Sequence, residues 1–112
     1  HRIPDSVFRI MRHKGGLGAA GSHPAVFPVA LVEAVLEAFT DPGDLVFEPF
    51  CGSGTQLIAA ERTRRRCCAV ELDPVYCDVA VRRWELATGR TASRVTEAEA
   101  ATKPVRRSRK RA

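Results

Sequence analysis

The residues that could do chemistry fall in two short stretches. Phe50-Cys51-Gly52-Ser53-Gly54-Thr55 is a Gly-rich turn, and Glu71 follows Gly54 by 17 residues. A turn of this kind between a buried strand and a helix lets backbone N–H groups approach a ligand, because Gly52 and Gly54 have no side chain in the way. An acid roughly 20 residues beyond the turn, at the end of the next strand, can accept hydrogen bonds from ribose hydroxyls. Alone, the turn reads equally well as a plain connection. With Glu71 in place, the two describe a pocket for a nucleoside-containing ligand at the carboxyl ends of neighbouring strands.

The form of the turn narrows the ligand. A triphosphate-binding loop needs a Lys directly after its last glycine, and Thr55 follows Gly54 here. A dinucleotide fingerprint needs a third glycine where this chain has Leu57. A nucleoside cofactor without a pyrophosphate remains, and S-adenosylmethionine fits.

The elements that must position these residues are legible in the apolar spacing. Val7-Phe8-Arg9-Ile10 reads as a strand, followed by a Gly-rich loop from Lys14 through Gly21. Pro28 suits a first helical turn, and Val29, Val32, Val35, Leu36 and Phe39 recur at helical spacing behind it. Asp41-Pro42-Gly43-Asp44 predicts a type II turn. Leu45-Val46-Phe47 and Cys67-Cys68-Ala69-Val70 do not alternate, so both read as fully buried strands. A helix is expected over 55–64, closed by Arg64-Arg65-Arg66, whose charge suits a helix C-terminus. Another should run from Asp73, an N-cap backed by Pro74, to about Thr88, with Gly89 as its stop. Tyr76, Ala80 and Trp84, four apart, read as a packing stripe. Helix, strand, Gly turn, helix, strand, helix is a βαβ unit with a leading helix, so the strands should be parallel in an α/β sheet. From Arg90 the apolar periodicity stops. Residues 90–112 read as a disordered basic tail, with Glu97-Ala98-Glu99-Ala100-Ala101 its one helix-forming stretch.

The chain has 112 residues, room for one domain. Its formal net charge of +5 is unevenly placed, since residues 103–112 hold six basic residues and no acid. The rest carries 12 basic residues against 13 acidic ones. The basic tail, with Arg106, Arg107, Arg109, Lys110 and Arg111, reads about equally as a site for contacts with DNA phosphates and as a solvated tail that only aids solubility. At 45% hydrophobic and 28% charged residues the body can bury a core. No apolar run approaches the roughly 18 residues that span a bilayer. Cys51, Cys67, Cys68 and Cys77 form no C-x-x-C pair, and no His lies near them. They read as free thiols of a reducing cytoplasm rather than as disulfides or a zinc site.

Three motifs in order resemble a known family. His23-Pro24-Ala25-Val26-Phe27-Pro28, then Pro42-Gly43-Asp44 with Glu48-Pro49 and the Gly-rich turn, then Glu71-Leu72-Asp73-Pro74-Val75-Tyr76 are similar to the cofactor half of the amino DNA methyltransferases. These enzymes methylate N6 of adenine or N4 of cytosine. The resemblance covers residues 4–87 and implies a partial Rossmann-like fold for S-adenosylmethionine-dependent methyl transfer, with the cofactor region at 23–89 behind an N-terminal strand and loop at 1–22. It also implies roles. Phe50, Gly52 and Gly54 would shape the loop around the methionine part of S-adenosylmethionine. Ser53 and Thr55 would make polar contacts at the helix N-terminus. Glu71 would hold the ribose hydroxyls, with Glu48 at the strand end. His23, Pro24 and Pro28 would form a wall. Phe27, Glu48 and Gln56 depart from the family's Lys, Asp and Thr.

The family works on a flipped base with a Pro-Pro-aromatic motif, and this chain contains no two adjacent prolines. No catalytic residue is therefore assigned. Two parallel strands and three helices also cannot cover both faces of a doubly wound sheet. The expectation is a site-specific DNA methyltransferase of which this chain is the cofactor-binding part, completed by a missing N-terminal catalytic half or a partner chain. The other reading is a catalytically inactive remnant that binds cofactor or DNA.

Overall fold

The computed structural model describes residues 9–10 and 28–102. The elements run α1 (Val29–Phe39), β1 (Leu45–Glu48), α2 (Thr55–Arg62), β2 (Arg66–Ala69), α3 (Pro74–Thr88) and α4 (Glu97–Thr102). β1 and β2 are parallel, with Val46 opposite Cys67 and Phe47 opposite Cys68. The βαβ unit read from the sequence is present, and the fold is a partial Rossmann-like one with parallel strands. Of the N-terminal strand expected at 7–10, Arg9 and Ile10 carry no regular structure. The Gly-rich loop at 14–21, His23, Pro24 and the basic residues from Lys103 onward lie outside the described residues.

Local chemistry explains the boundaries. The Asp41–Asp44 turn closes with Asp44 N donating to Asp41 O at 3.1 Å, and Gly43 takes the positive φ of +92° that a type II turn demands. Asp73 caps α3 by accepting from Val75 N at 2.8 Å. Gly89 ends α3 in the left-handed region. α4 falls inside the stretch expected to be disordered. Its cause is a capping box: Glu99 N donates to Thr96 Oγ1, while the Glu99 carboxylate accepts from Thr96 N at 2.9 Å.

The core lies where α1 and α2 meet one face of the sheet. Leu36, Ala59 and Ala60 are buried there, with Val29, Val32, Val46 and Cys67 packed around them. Ala59 and Ala60 let the α1 backbone come close. Arg65 ties the ends of both helices together. Its guanidinium donates to Thr40 O (2.6 Å), to Thr63 O (2.6 Å) and to Thr40 Oγ1 (3.0 Å), serving carbonyls that a helix end leaves without intrahelical donors.

Two expectations require correction. Neither strand is fully buried: Leu45, Phe47 and Cys68 are exposed, and Val70 continues that row. Among the described residues, helices cover only the Val46–Cys67 face. In α1, Val35 and Phe39 also stay exposed, because the helix turns Val29, Val32 and Leu36 toward α2. Among the described residues, no helix is long and apolar enough to cross a membrane, and no group of three His, Cys, Asp or Glu could hold a metal ion.

Candidate functional site

The carboxyl ends of β1 and β2 lie side by side because the strands are parallel and adjacent. Beyond β1 the chain passes through Glu48-Pro49-Phe50 into the Gly-rich turn, and beyond β2 it reaches Glu71. Backbone bonds lock the two ends together: Val70 N donates to Glu48 O and Cys51 N donates to Val70 O, both at 2.9 Å. The turn needs both of its glycines in the left-handed region, Gly52 at φ +54° and Gly54 at +82°. Gly54 has a second reason. A Cβ there would stand 2.8 Å from Cβ of Ala80 on α3.

Glu71 reaches across to the turn. One carboxylate oxygen accepts from Gly52 N at 2.6 Å, and the other accepts from Asp73 N at 3.0 Å. Glu48 accepts from Phe50 N at 2.8 Å and braces the entry to the turn. Phe50 and Leu72, at 83% and 97% exposure, leave apolar side chains open at this strand end.

The turn is less open to a ligand than its sequence implies. Gly52 N is given to Glu71 and Gly54 N to Cys51 O (3.0 Å). Ser53 and Thr55 are buried, and both hydroxyls accept from Arg83 of α3. Pro28 stands at the head of α1, where its carbonyl accepts from Leu31 N, on a different element from the turn and Glu71. Glu48, Phe50, Gly52, Ser53, Gly54, Thr55 and Glu71 are thus gathered at one end of the sheet. Arg83 and Leu72 escaped the sequence reading. Arg83 carried a faint signal, three residues past Ala80 and so on nearly the same helix face.

Burial pushes the Cys51 thiol up, and the Glu48 and Glu71 carboxylates push it further, so it is no ready nucleophile. A cleft of about 410 Å³ lies elsewhere, lined by residues such as Leu57, Arg65, Cys67 and Trp84. It includes neither Glu71 nor the turn glycines, and its volume does not outweigh the convergence of functional groups at the strand ends.

Comparison with known proteins places the chain. The DNA methylase family, in its N6/N4 group, matches residues 2–82. The type II methyltransferase M.Cfr9I of Citrobacter freundii is 44% identical over 64 residues, which are 57% of this chain and 21% of that enzyme. A putative DNA modification methylase from Thermus thermophilus, solved in complex with S-adenosyl-L-methionine, is 44% identical. It superposes with a TM-score of 0.53 over 55% of this chain and 26% of that one. The cytosine-N4-specific PvuII DNA methyltransferase superposes with a TM-score of 0.64 at 32% identity, over 73% of this chain and 32% of that one. The chain thus spans about a fifth of the length of the curated relatives it first matches.

Proposed function

The chain belongs to the N6/N4 DNA methylase family, and on that premise we propose that it is the S-adenosylmethionine-holding part of a DNA methyltransferase acting on N6 of adenine or N4 of cytosine. The observation that carries the reading is Glu71, a carboxylate at the end of β2 bonded to the glycine turn beyond β1.

The residues present fit the cofactor. A carboxylate accepts and does not donate, so Glu71 suits the hydroxyl donors of a vicinal diol. Phe50 and Leu72 supply the apolar surface that a flat base needs. Gly52 leaves the approach to Glu71 free of a side chain. The family motifs assign a wall of the site to His23, Pro24 and Pro28. S-adenosylmethionine, when bound, supplies a methyl group on a sulfonium centre. This chain's part would be to orient the cofactor: Glu71 would accept from its ribose hydroxyls and the turn would lie against its methionine part. A methyl transfer depends on that alignment.

The base-handling groups belong to another part of the fold. The exposed row Leu45, Phe47, Cys68 and Val70 supports further structure laid over this sheet, from an N-terminal catalytic half or a partner chain. The basic residues Arg106, Arg107, Arg109, Lys110 and Arg111 suit phosphate contacts with the DNA substrate.

Calorimetric titration of the purified chain with S-adenosylmethionine tests the proposal. Saturable binding is expected, weakened at least about tenfold in Glu71→Ala, as for loss of hydrogen bonds to a charged group. No binding by a folded chain overturns it.

A further inference from the structure

We infer that Arg83 is a positioning residue, which holds the glycine turn in its working shape at residues other than the one Glu71 bonds. The inference deepens the reading of the turn as a cofactor site and rests on it.

Among the described residues, one guanidinium nitrogen, Nη1, makes these hydrogen bonds. It donates to Ser53 O at 2.6 Å, to Ser53 Oγ at 2.7 Å and to Thr55 Oγ1 at 3.4 Å. Both acceptor residues are buried, at 5% and 3% exposure. Buried hydroxyls and carbonyls need partners, and a charged donor is the strongest available. Burial also lowers the guanidinium's pKa, as expected for a cation taken into the packing between α3 and the turn.

Ala80, one helical turn earlier on α3, presses against Gly54. Ala80 and Arg83 therefore engage three successive residues: Ser53, Gly54 and Thr55. A segment with two left-handed glycines has many other conformations open to it, and something outside it must select one. Glu71 restrains the first glycine, and α3 restrains the rest. Arg83 bonds Ser53 and Thr55, whereas Glu71 bonds Gly52, so the two charges grip the turn at different points. Ser53 and Thr55, which the motif resemblance assigns to the cofactor, are in this geometry the handles by which α3 holds the loop.

The test uses the full 112-residue chain, with Arg83→Met and Arg83→Lys beside the parent. Amide hydrogen exchange is read at Gly54 and Ile58, whose N–H groups bond Cys51 O and Gly54 O. In Arg83→Met, exchange at these amides should rise about tenfold while α1 keeps its protection. Arg83→Lys should retain most protection, because an ammonium at the place of Nη1 offers donors to the same acceptors. Should the Met variant not fold, Ser53→Ala removes only the 2.7 Å hydroxyl acceptor and is read in the same way. An unchanged turn in the folded variant overturns the inference. Titration with S-adenosylmethionine separates it from the function proposed above. If the parent binds, Arg83→Met should raise the dissociation constant about tenfold and Arg83→Lys only slightly. Equal affinity in parent and Met variant also overturns it. A folded parent that does not bind removes the cofactor reading, while exchange at the turn still decides what Arg83 holds.

Discussion

Gly54 and Gly43 share a positive φ but face different surroundings, and that difference is measurable. At Gly54 an added Cβ meets Ala80 at 2.8 Å and is strained by φ +82° as well. At Gly43 it meets nothing within 4 Å. Gly43→Ala should cost about 1–2 kcal/mol, the left-handed penalty alone. Gly54→Ala adds overpacking of about 1–3 kcal/mol. Denaturant unfolding of the two variants checks the order, and equal costs would mean α3 does not press on the turn. Cys67 offers a second residue-scale test. Burial pushes its thiol from 9.0 up to about 11, with neighbouring Cys51 and Cys68 adding to the shift. The folded state therefore holds a proton that the unfolded chain releases first. Its contribution is intact below about pH 9 and is lost as pH climbs toward 11. Unfolding midpoints across that window should fall in the parent and fall less in Cys67→Ala.

At the scale of elements, α2 organises the chain. It packs on α1, on β2 and on α3, and the glycine turn is its own N-terminus. Arg65 is the pin between its far end and α1. Arg65→Met keeps the stem and removes the donors, leaving Thr40 O and Thr63 O short of partners. A loss of about 2–4 kcal/mol is expected for unpaired buried carbonyls. It should appear as early melting of α1, followed by amide exchange at Leu36 and Phe39. Stability of the Gly52–Glu71 contact should change less, because it lies at the opposite end of the strands.

At the scale of the whole molecule, the core of the described residues lies on one face of the sheet. Leu45, Phe47 and Val70 are exposed at 57%, 66% and 54%, forming an apolar row on a sheet whose other face carries the core. Exposed apolar surface of this kind associates. Phe47→Lys should leave unfolding free energy within about 0.5 kcal/mol, as surface changes do. It should also reduce concentration-dependent association in sedimentation. A large destabilisation instead would place Phe47 in the core of this chain.

Most of the fold could be read in the sequence because its signals are local. The Pro-Gly turn at 42–43, the Asp73 cap before Pro74 and the Gly89 stop each depend on neighbours a few residues away, and each formed as read. Helical spacing found α1, and the glycine turn with an acid at the next strand end marked residues that the fold does bring together. Three things waited for tertiary structure. Burial of the strands did, because an apolar run shows what could be covered and not what covers it; Phe47 lies open although its sequence neighbours promise a core. Arg65 did as well, since its acceptor Thr40 lies 25 positions away. The bond from Arg83 to Ser53 spans 30 positions, and helical spacing from Ala80 marks the face Arg83 lies on but not its partner. Residue type and spacing determine which groups can reach a ligand or a cap. Only the packing of α3 against the turn decides which hydroxyls are left for a ligand and which are already held, because hydrogen-bond partners distant in the chain are chosen by the fold.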